Sequence, residues 1–230
     1  MGASRLETCV MATRCAAVVA VALSLFLPSV ALAGVPGEPT TLPDIIAAVQ
    51  KTYAGVSAIR SDFQQTIKNP ITGVEEKQRG RIQLERPRKM RLEIGLPVVS
   101  AVVSDGTTQW LYSAQSKQVV VQKLLGGASG VETLIEDLGR LSELFDVTLV
   151  PQAAPPKPVH QLALAPKTAG GVKSLELTIR KTTYLLQDLV ITDATGGVSR
   201  MSFTGMVLGG DVPDAQFTFK APPGITVVQL

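Results

Sequence analysis

The feature that most limits what this chain can become is a long series of segments in which apolar and polar residues alternate. Alternation with a period of two gives a strand one buried face and one solvated face. Ile59, Ser61, Phe63, Gln65 and Ile67 share one face of the first such segment, and Asn69-Pro70 with Thr72-Gly73 marks its turn. Ile82 and Leu84 alternate with Arg81, Gln83 and Glu85. Beyond Pro87, Met90, Leu92 and Ile94 alternate with Lys89, Arg91 and Glu93. Val98 to Ser104 and Thr107 to Ser113 flank Asp105-Gly106, a strong hairpin signal. Further strands are expected at Val119 to Leu124, Val159 to Leu164, Leu175 to Ile179, Leu185 to Ile191 and Val198 to Met206, with Phe217 and Phe219 ending the series. A meander of about ten or eleven antiparallel strands is too many for a small flat sheet and should curl. The 15 Pro and 20 Gly supply the turns it needs.

Two segments carry a helical period instead. Thr41-Leu42-Pro43-Asp44 has capping-box spacing with proline in the first turn, and Ile45, Val49, Tyr53 and Val56 follow at near-helical intervals, so a helix is expected at about 43–56. The second interrupts the meander. Ser129 and Glu132 again have capping-box spacing, and Val131, Leu134, Ile135, Leu138, Leu141 and Phe145 form an apolar stripe over 131–145. A glycine-rich run at 126–130 precedes it and a proline-rich run from Pro151 to Pro158 follows. The pattern fits equally a helix that swings on its flanks and one that permanently plugs a barrel end. Leu138, mid-stripe, is expected to face an apolar space open to a ligand.

The N-terminus is read as a leader rather than as fold. Arg5 and Arg14 precede the apolar run Ala16 to Leu27, and Ala31-Leu32-Ala33 before Gly34 has the form of a cleavage site. The run is shorter than the ~20 residues that span a bilayer. Residues 1–33 are therefore expected to be a cleaved signal peptide, 34–41 a linker and 42–230 a single domain. The product is therefore expected to be exported. Cys9 and Cys15, the only cysteines, both lie in the leader and before the apolar run ends, so neither a disulfide nor lipidation of the exported chain is expected.

Catalytic patterns are sparse. His160 is the sole histidine, it sits in an alternating segment, and no G-x-S-x-G elbow accompanies it. Paired-histidine metal sites and phosphate loops are missing as motifs, so no enzymatic activity, metal or cofactor is expected. A net charge of +3 over 230 residues is too small for a nucleic-acid footprint. The cluster Arg79, Arg81, Arg86, Arg88, Lys89 and Arg91 has no interleaved aromatic for base stacking. Most of it reads as a solvated outer face, Arg86-Pro87 being the exception because it falls at a turn from which a side chain can reach inward. Only 4% of residues are aromatic, so a pocket here must be lined mostly by Leu, Val, Ile and Met.

Several motifs resemble, in order, the periplasmic outer-membrane lipoprotein carrier family (LolA). Phe63-Gln64-Gln65-Thr66, Gly80 and Arg86-Pro87 are similar to its N-terminal half, and Val103-Ser104-Asp105-Gly106 with Trp110-Leu111-Tyr112 is similar to its V-S-D-G-x-x-x-W-x-Y hairpin. Leu164-Ala165-Pro166-Lys167 resembles its L-x-P-K strand end, and Phe217 to Val227 its F-x-F-x-x-P-x-G-V closing segment. The resemblance implies an unclosed antiparallel β-barrel with an α-helical lid over an apolar cavity. It implies that acylated lipoproteins are taken from an inner-membrane ABC exporter to an outer-membrane receptor lipoprotein. The arginine matched by Arg86 would hydrogen-bond the lid and help to keep it closed. The chain departs from the family after that proline, where Arg88, Lys89 and Met90 replace the usual aromatics.

The residues expected to line the cavity and its lid are Leu134, Ile135, Leu138, Leu141 and Phe145, with Met90, Leu92 and Trp110 from the sheet. The carrier is expected to be monomeric. The competing reading is a periplasmic module that senses lipids or lipoproteins with the same half-barrel; a hydrolase ranks last. A first test follows from the leader. Intact-mass measurement of protein recovered from the periplasm should give a chain beginning at Gly34 with no added lipid. Retention of residues 1–33 or a diacylglyceryl increment would overturn it.

Overall fold

The computed structural model describes residues 41–124, 134–135, 137–155 and 157–230. The expected leader, nearly all of the linker, the glycine-rich run and the first turn of the second helix lie outside the described residues.

Helix α1 spans Leu42–Tyr53 and begins as its sequence dictates: Thr41 Oγ1 accepts the Asp44 N–H at 3.4 Å, and Pro43 occupies the first turn. Its buried side chains are Ile45, Val49 and Tyr53. Twelve strands follow. β1 is Ala58–Lys68, β2 Glu75–Glu85, β3 Lys89–Ile94, β4 Ser100–Asp105, β5 Thr108–Ser113 and β6 Gln118–Lys123. A short helix α2, Leu141–Leu144, precedes β7 Phe145–Leu149, β8 Val159–Pro166, β9 Val172–Arg180, β10 Leu186–Asp193, β11 Val198–Leu208 and β12 Thr226–Gln229.

These strands form one sheet in the order β12-β6-β5-β4-β3-β2-β1-β11-β10-β9-β8-β7. Every pairing is antiparallel except β12 with β6, which is parallel. β12 and β7 stand at opposite ends of that order, so the barrel does not close. Asp105-Gly106 makes the β4–β5 hairpin as its sequence indicates, with Gly106 at φ +95°. Burial pulls the Asp105 carboxyl up, but the Thr108 N–H and the Thr107 hydroxyl and N–H outweigh it, and the group ends below the usual carboxylate range.

One apolar core joins the inner face of this sheet to the helices. Phe63, Ile82, Leu84, Met90, Leu162, Leu177, Leu189 and Phe203 meet Ile45, Val49 and Tyr53 there. The Tyr53 hydroxyl accepts the Leu186 N–H at 2.9 Å and donates to Met206 Sδ at 3.4 Å. Burial pushes that phenol up to about 12, against the pull of the Leu186 bond.

The outer face is covered as well, by a segment whose pattern suggests a final strand. Phe217 and Phe219 are not in a strand: residues Asp214–Phe217 form a 3-10 turn lying against β3 and β4. The strap starts where Gly209 N–H donates to Ala58 O at 2.7 Å, and Val212, Phe217 and Ala58 make a second small core. Arg91 Nη1 donates to Gln216 O at 3.0 Å and Thr218 O at 3.4 Å. Lys89 Nζ bridges Glu85 at 3.0 Å and Asp214 at 2.6 Å, and lies 5.8 Å from the Phe217 ring centroid. Phe219 meets Tyr112 at 5.3 Å between centroids, and the chain then enters β12. The solvated-face expectation therefore holds for Arg79 and Arg81, which are exposed. It fails for Lys89 and Arg91, which clamp the strap.

Two further differences have one cause each. The apolar stripe expected as a helix to residue 145 ends at Leu144: Leu138–Arg140 is a 3-10 turn and Phe145 opens β7. Phe145 satisfies both periods, four residues after Leu141 and two before Val147, and strand pairing with β8 decides the contest. β12 has no signal in local alternation because its pairing with β6 is set by the strap. Gly80 shows how tightly the sheet is built. A Cβ there would collide with the Glu93 carbonyl oxygen and lie 2.7 Å from Phe63 Cζ. Gly80→Ala should therefore cost about 2 kcal/mol or more in chemical denaturation; wild-type stability would show that the β2–β3 pairing yields easily.

Candidate functional site: a helix-covered apolar face

The inner face of a sheet that stops short of closure must be covered by something else. Here the cover is α1 together with the segment that leads into α2. Leu134, Ile135, Leu138 and Leu141 are all in the central core, and Leu138 has 0% of its surface exposed. Leu138 does not face an open space; it is packed. Met90 is buried in the same core, while Leu92 and Phe145 are half-buried and pack against it. Seven of the expected lining residues are thus brought together.

Trp110 is not among them. It pairs with Val103, and Val103 points away from the face on which Val102 packs against the core beside Leu92. Trp110 therefore belongs to the outer surface with Tyr112, on the side the strap covers. Alternation by itself does not say which of two faces is the inner one.

Polar ties between the covering segment and its bed are few and specific. Ser142 Oγ donates to Gln50 Oε1 at 3.0 Å, and Gln50 Nε2 donates to Gly139 O at 3.3 Å. Lys167 Nζ donates to Ser142 O at 2.6 Å and its backbone N–H to Leu144 O at 3.0 Å. Gly139 lies on the end of α1, where an added Cβ would make ordinary van der Waals contact 3.7 Å from the Ala54 nitrogen. Gln50 and Ser142 are not singled out by the sequence, which offers no signal that two polar residues 92 positions apart will meet.

Arg86 sits in the turn between β2 and β3, half-buried, its backbone N–H donating to Ser57 O at 2.8 Å. It is near enough to the covering segment for its charge to act on Asp137. Burial pushes the Asp137 carboxyl above the usual range, Arg140 and then Arg86 pull it down, and Glu143 adds to the rise.

Among the described residues no group of three His, Cys, Asp or Glu side chains could hold a metal ion, and no helix is long and apolar enough to cross a membrane. The arrangement defines a class: an open half-barrel whose apolar interior is shut by helices instead of by strand closure. The family model described as outer membrane lipoprotein carrier protein LolA matches residues 54–220. The chain belongs to the LolA family. It is 28% identical over 183 residues to an outer-membrane lipoprotein carrier protein of Chromobacterium violaceum, covering 80% of this chain and 86% of that one. Another such protein, from Bordetella pertussis, is 27% identical over 212 residues, covering 91% and 96%. An uncharacterized conserved protein from Thermus thermophilus shares the fold, with a TM-score of 0.51 at 18% identity over 82% of this chain and 98% of that one.

Asp137 gives the site a testable pH dependence. A carboxyl whose folded value is raised contributes stability that is complete below its unfolded value, about 3.9, and is lost as pH rises through the folded value. Asp137→Asn should therefore melt above wild type at neutral pH, and the gap should shrink as pH falls towards about 4. A gap that widens on acidification would show that Asp137 is held mainly as an ion by Arg140 and Arg86.

Proposed function

We propose that the protein is a periplasmic carrier that shields the acyl chains of lipoproteins, receiving them from an inner-membrane ABC exporter and delivering them to an outer-membrane receptor. One observation carries this reading. The stripe Leu134, Ile135, Leu138 and Leu141 lies in the same core as the sheet's inner face, yet it belongs to a segment outside the ladder of strands. Membership of the LolA family supports the cargo class.

The energetics suit exchange. Burying an aliphatic side chain gains about 1.5–3 kcal/mol, so withdrawing the four residues of the stripe forfeits roughly 6–12 kcal/mol. An acyl chain taking their place returns about 0.8 kcal/mol per methylene. One long chain then roughly balances the loss and a second tips it, so an empty carrier stays shut and a loaded one stays soluble. Neither acid, base nor metal is needed. Arg86 serves as the latch in this scheme, its charge acting on the covering segment through Asp137.

The test is a reversible staple. Cys9 and Cys15 lie in the expected leader, so cysteines introduced as Ala54→Cys and Gly139→Cys have no competitors in the exported chain. Oxidised, this variant should lose uptake of a fluorescent fatty acid, and reductant should restore it. Uptake that persists with the staple closed would refute the role of the covering segment. Failure of the wild type to take up any acyl probe would refute the carrier reading itself. Arg86→Leu should leave folding intact while altering transfer rates between purified membranes; unchanged transfer would remove Arg86 from the mechanism.

A further inference from the structure

The inner face is not apolar along its whole length. Two residues beyond Phe63 on β1, the same face presents Gln65. Gln78 of β2 stands directly opposite it, and Ser199 of β11 lies on the same face because it pairs with Ile67. The three are joined in a row. Gln78 Nε2 donates to Gln65 Oε1 at 2.7 Å, and Gln65 Nε2 donates to Ser199 Oγ at 2.7 Å. All three are half-buried. Just beyond them, at the strand ends, a pocket of about 490 Å³ opens, walled by Ile67, Val74, Ile191 and Glu76 and including Ser199 itself.

Polar side chains on a face that buries mainly hydrocarbon cost stability unless their hydrogen bonds are made. The row makes two bonds and leaves as donors one N–H on each amide and the Ser199 hydroxyl proton, and as acceptors the Gln78 carbonyl oxygen and the second lone pair of Gln65 Oε1. That is a set of donors with acceptors beside it, the Glu76 carboxylate on the wall included, set between an aliphatic floor and an opening to solvent. Asp193, on the pocket wall, has its Oδ1 engaged by the Thr195 hydroxyl and the N–H groups of Thr195 and Gly197, which hold the carboxyl below the usual range.

We propose that this row and the mouth pocket seat the polar head of an acylated cargo, a glyceryl diester joined to a peptide amide, while its chains occupy the apolar floor beyond Phe63. Ester carbonyls have only acceptors to offer and match the unspent donors; an amide N–H matches the Gln78 carbonyl. The pocket has room for the glyceryl and cysteinyl atoms, and the peptide leaves through the opening. The site tells a lipidated N-terminus from a bare hydrocarbon. This assignment rests on the carrier reading and adds to it where the head of the cargo sits.

The experiment compares two probes on the purified protein: a dipalmitoyl-glyceryl-cysteinyl peptide and a pyrene-labelled alkane with no carbonyl group. Gln65→Leu and Ser199→Ala each remove part of the row; Ser199→Ala, a deletion of one oxygen, guards against misfolding in the other. Both variants should keep their affinity for the alkane within about twofold and lose lipopeptide affinity, by about tenfold for Gln65→Leu and about threefold for Ser199→Ala. Equal losses for the two probes, or no loss for either, would overturn the head site and leave the carrier reading intact. Binding of neither probe by the wild type would overturn both.

Discussion

An apolar sheet face that curls without closing has to be covered, and that requirement organises the whole molecule. In a closed barrel the strands would cover one another. Here β12 and β7 remain apart, and the inner face is sealed by α1 and by the segment carrying Leu134, Ile135, Leu138 and Leu141. The two covers are attached differently. Helix α1 is pinned to the sheet by the buried Tyr53 hydroxyl on the Leu186 N–H. The second cover is held by apolar contact and by side-chain bonds at Gln50, Ser142 and Lys167. Apolar contact is non-directional, so hydrocarbon from another molecule satisfies the inner face as well as the protein's own side chains do.

If the inner face is to exchange one cover for another, the sheet itself must hold its shape while uncovered. The strap on the outer face does this. It presses Phe217 and Phe219 against β3–β5, is gripped by Lys89 and Arg91, and ends by pairing β12 to the edge of β6. Ala101 and Val103 of β4 are accordingly buried on the outer side while Val102 packs on the inner side. This half of the sheet is therefore supported from both sides, and loss of inner cover still leaves it packed on the outer one.

Much of this is legible before any tertiary structure. Most strand positions, the Asp105-Gly106 hairpin, the Thr41 cap of α1 and the apolar stripe through Leu141 follow from local periodicity and turn chemistry, because those depend on neighbours in sequence. The family resemblance, carried by short motifs from Phe63 to Val227, implies the unclosed barrel and its helical cover. Local pattern fails where one residue serves two periods, as at Phe145, or where a strand has cover on both faces, as at β4 and β5. The inward expectation for Trp110 fails for that reason.

By itself, then, the chain's order of residues determined helix α1, most of the strands and which side chains share a face, since alternation and helical spacing are properties of the local backbone. Tertiary structure alone decided which face is inner, that Lys89 and Arg91 hold a strap instead of meeting water, and that Gln65, Gln78 and Ser199 line up across three strands. Those outcomes depend on strand register and on a distant segment, joined to Arg91 across 125 positions. Contacts at that separation arise only when the curled sheet brings the two stretches to the same surface.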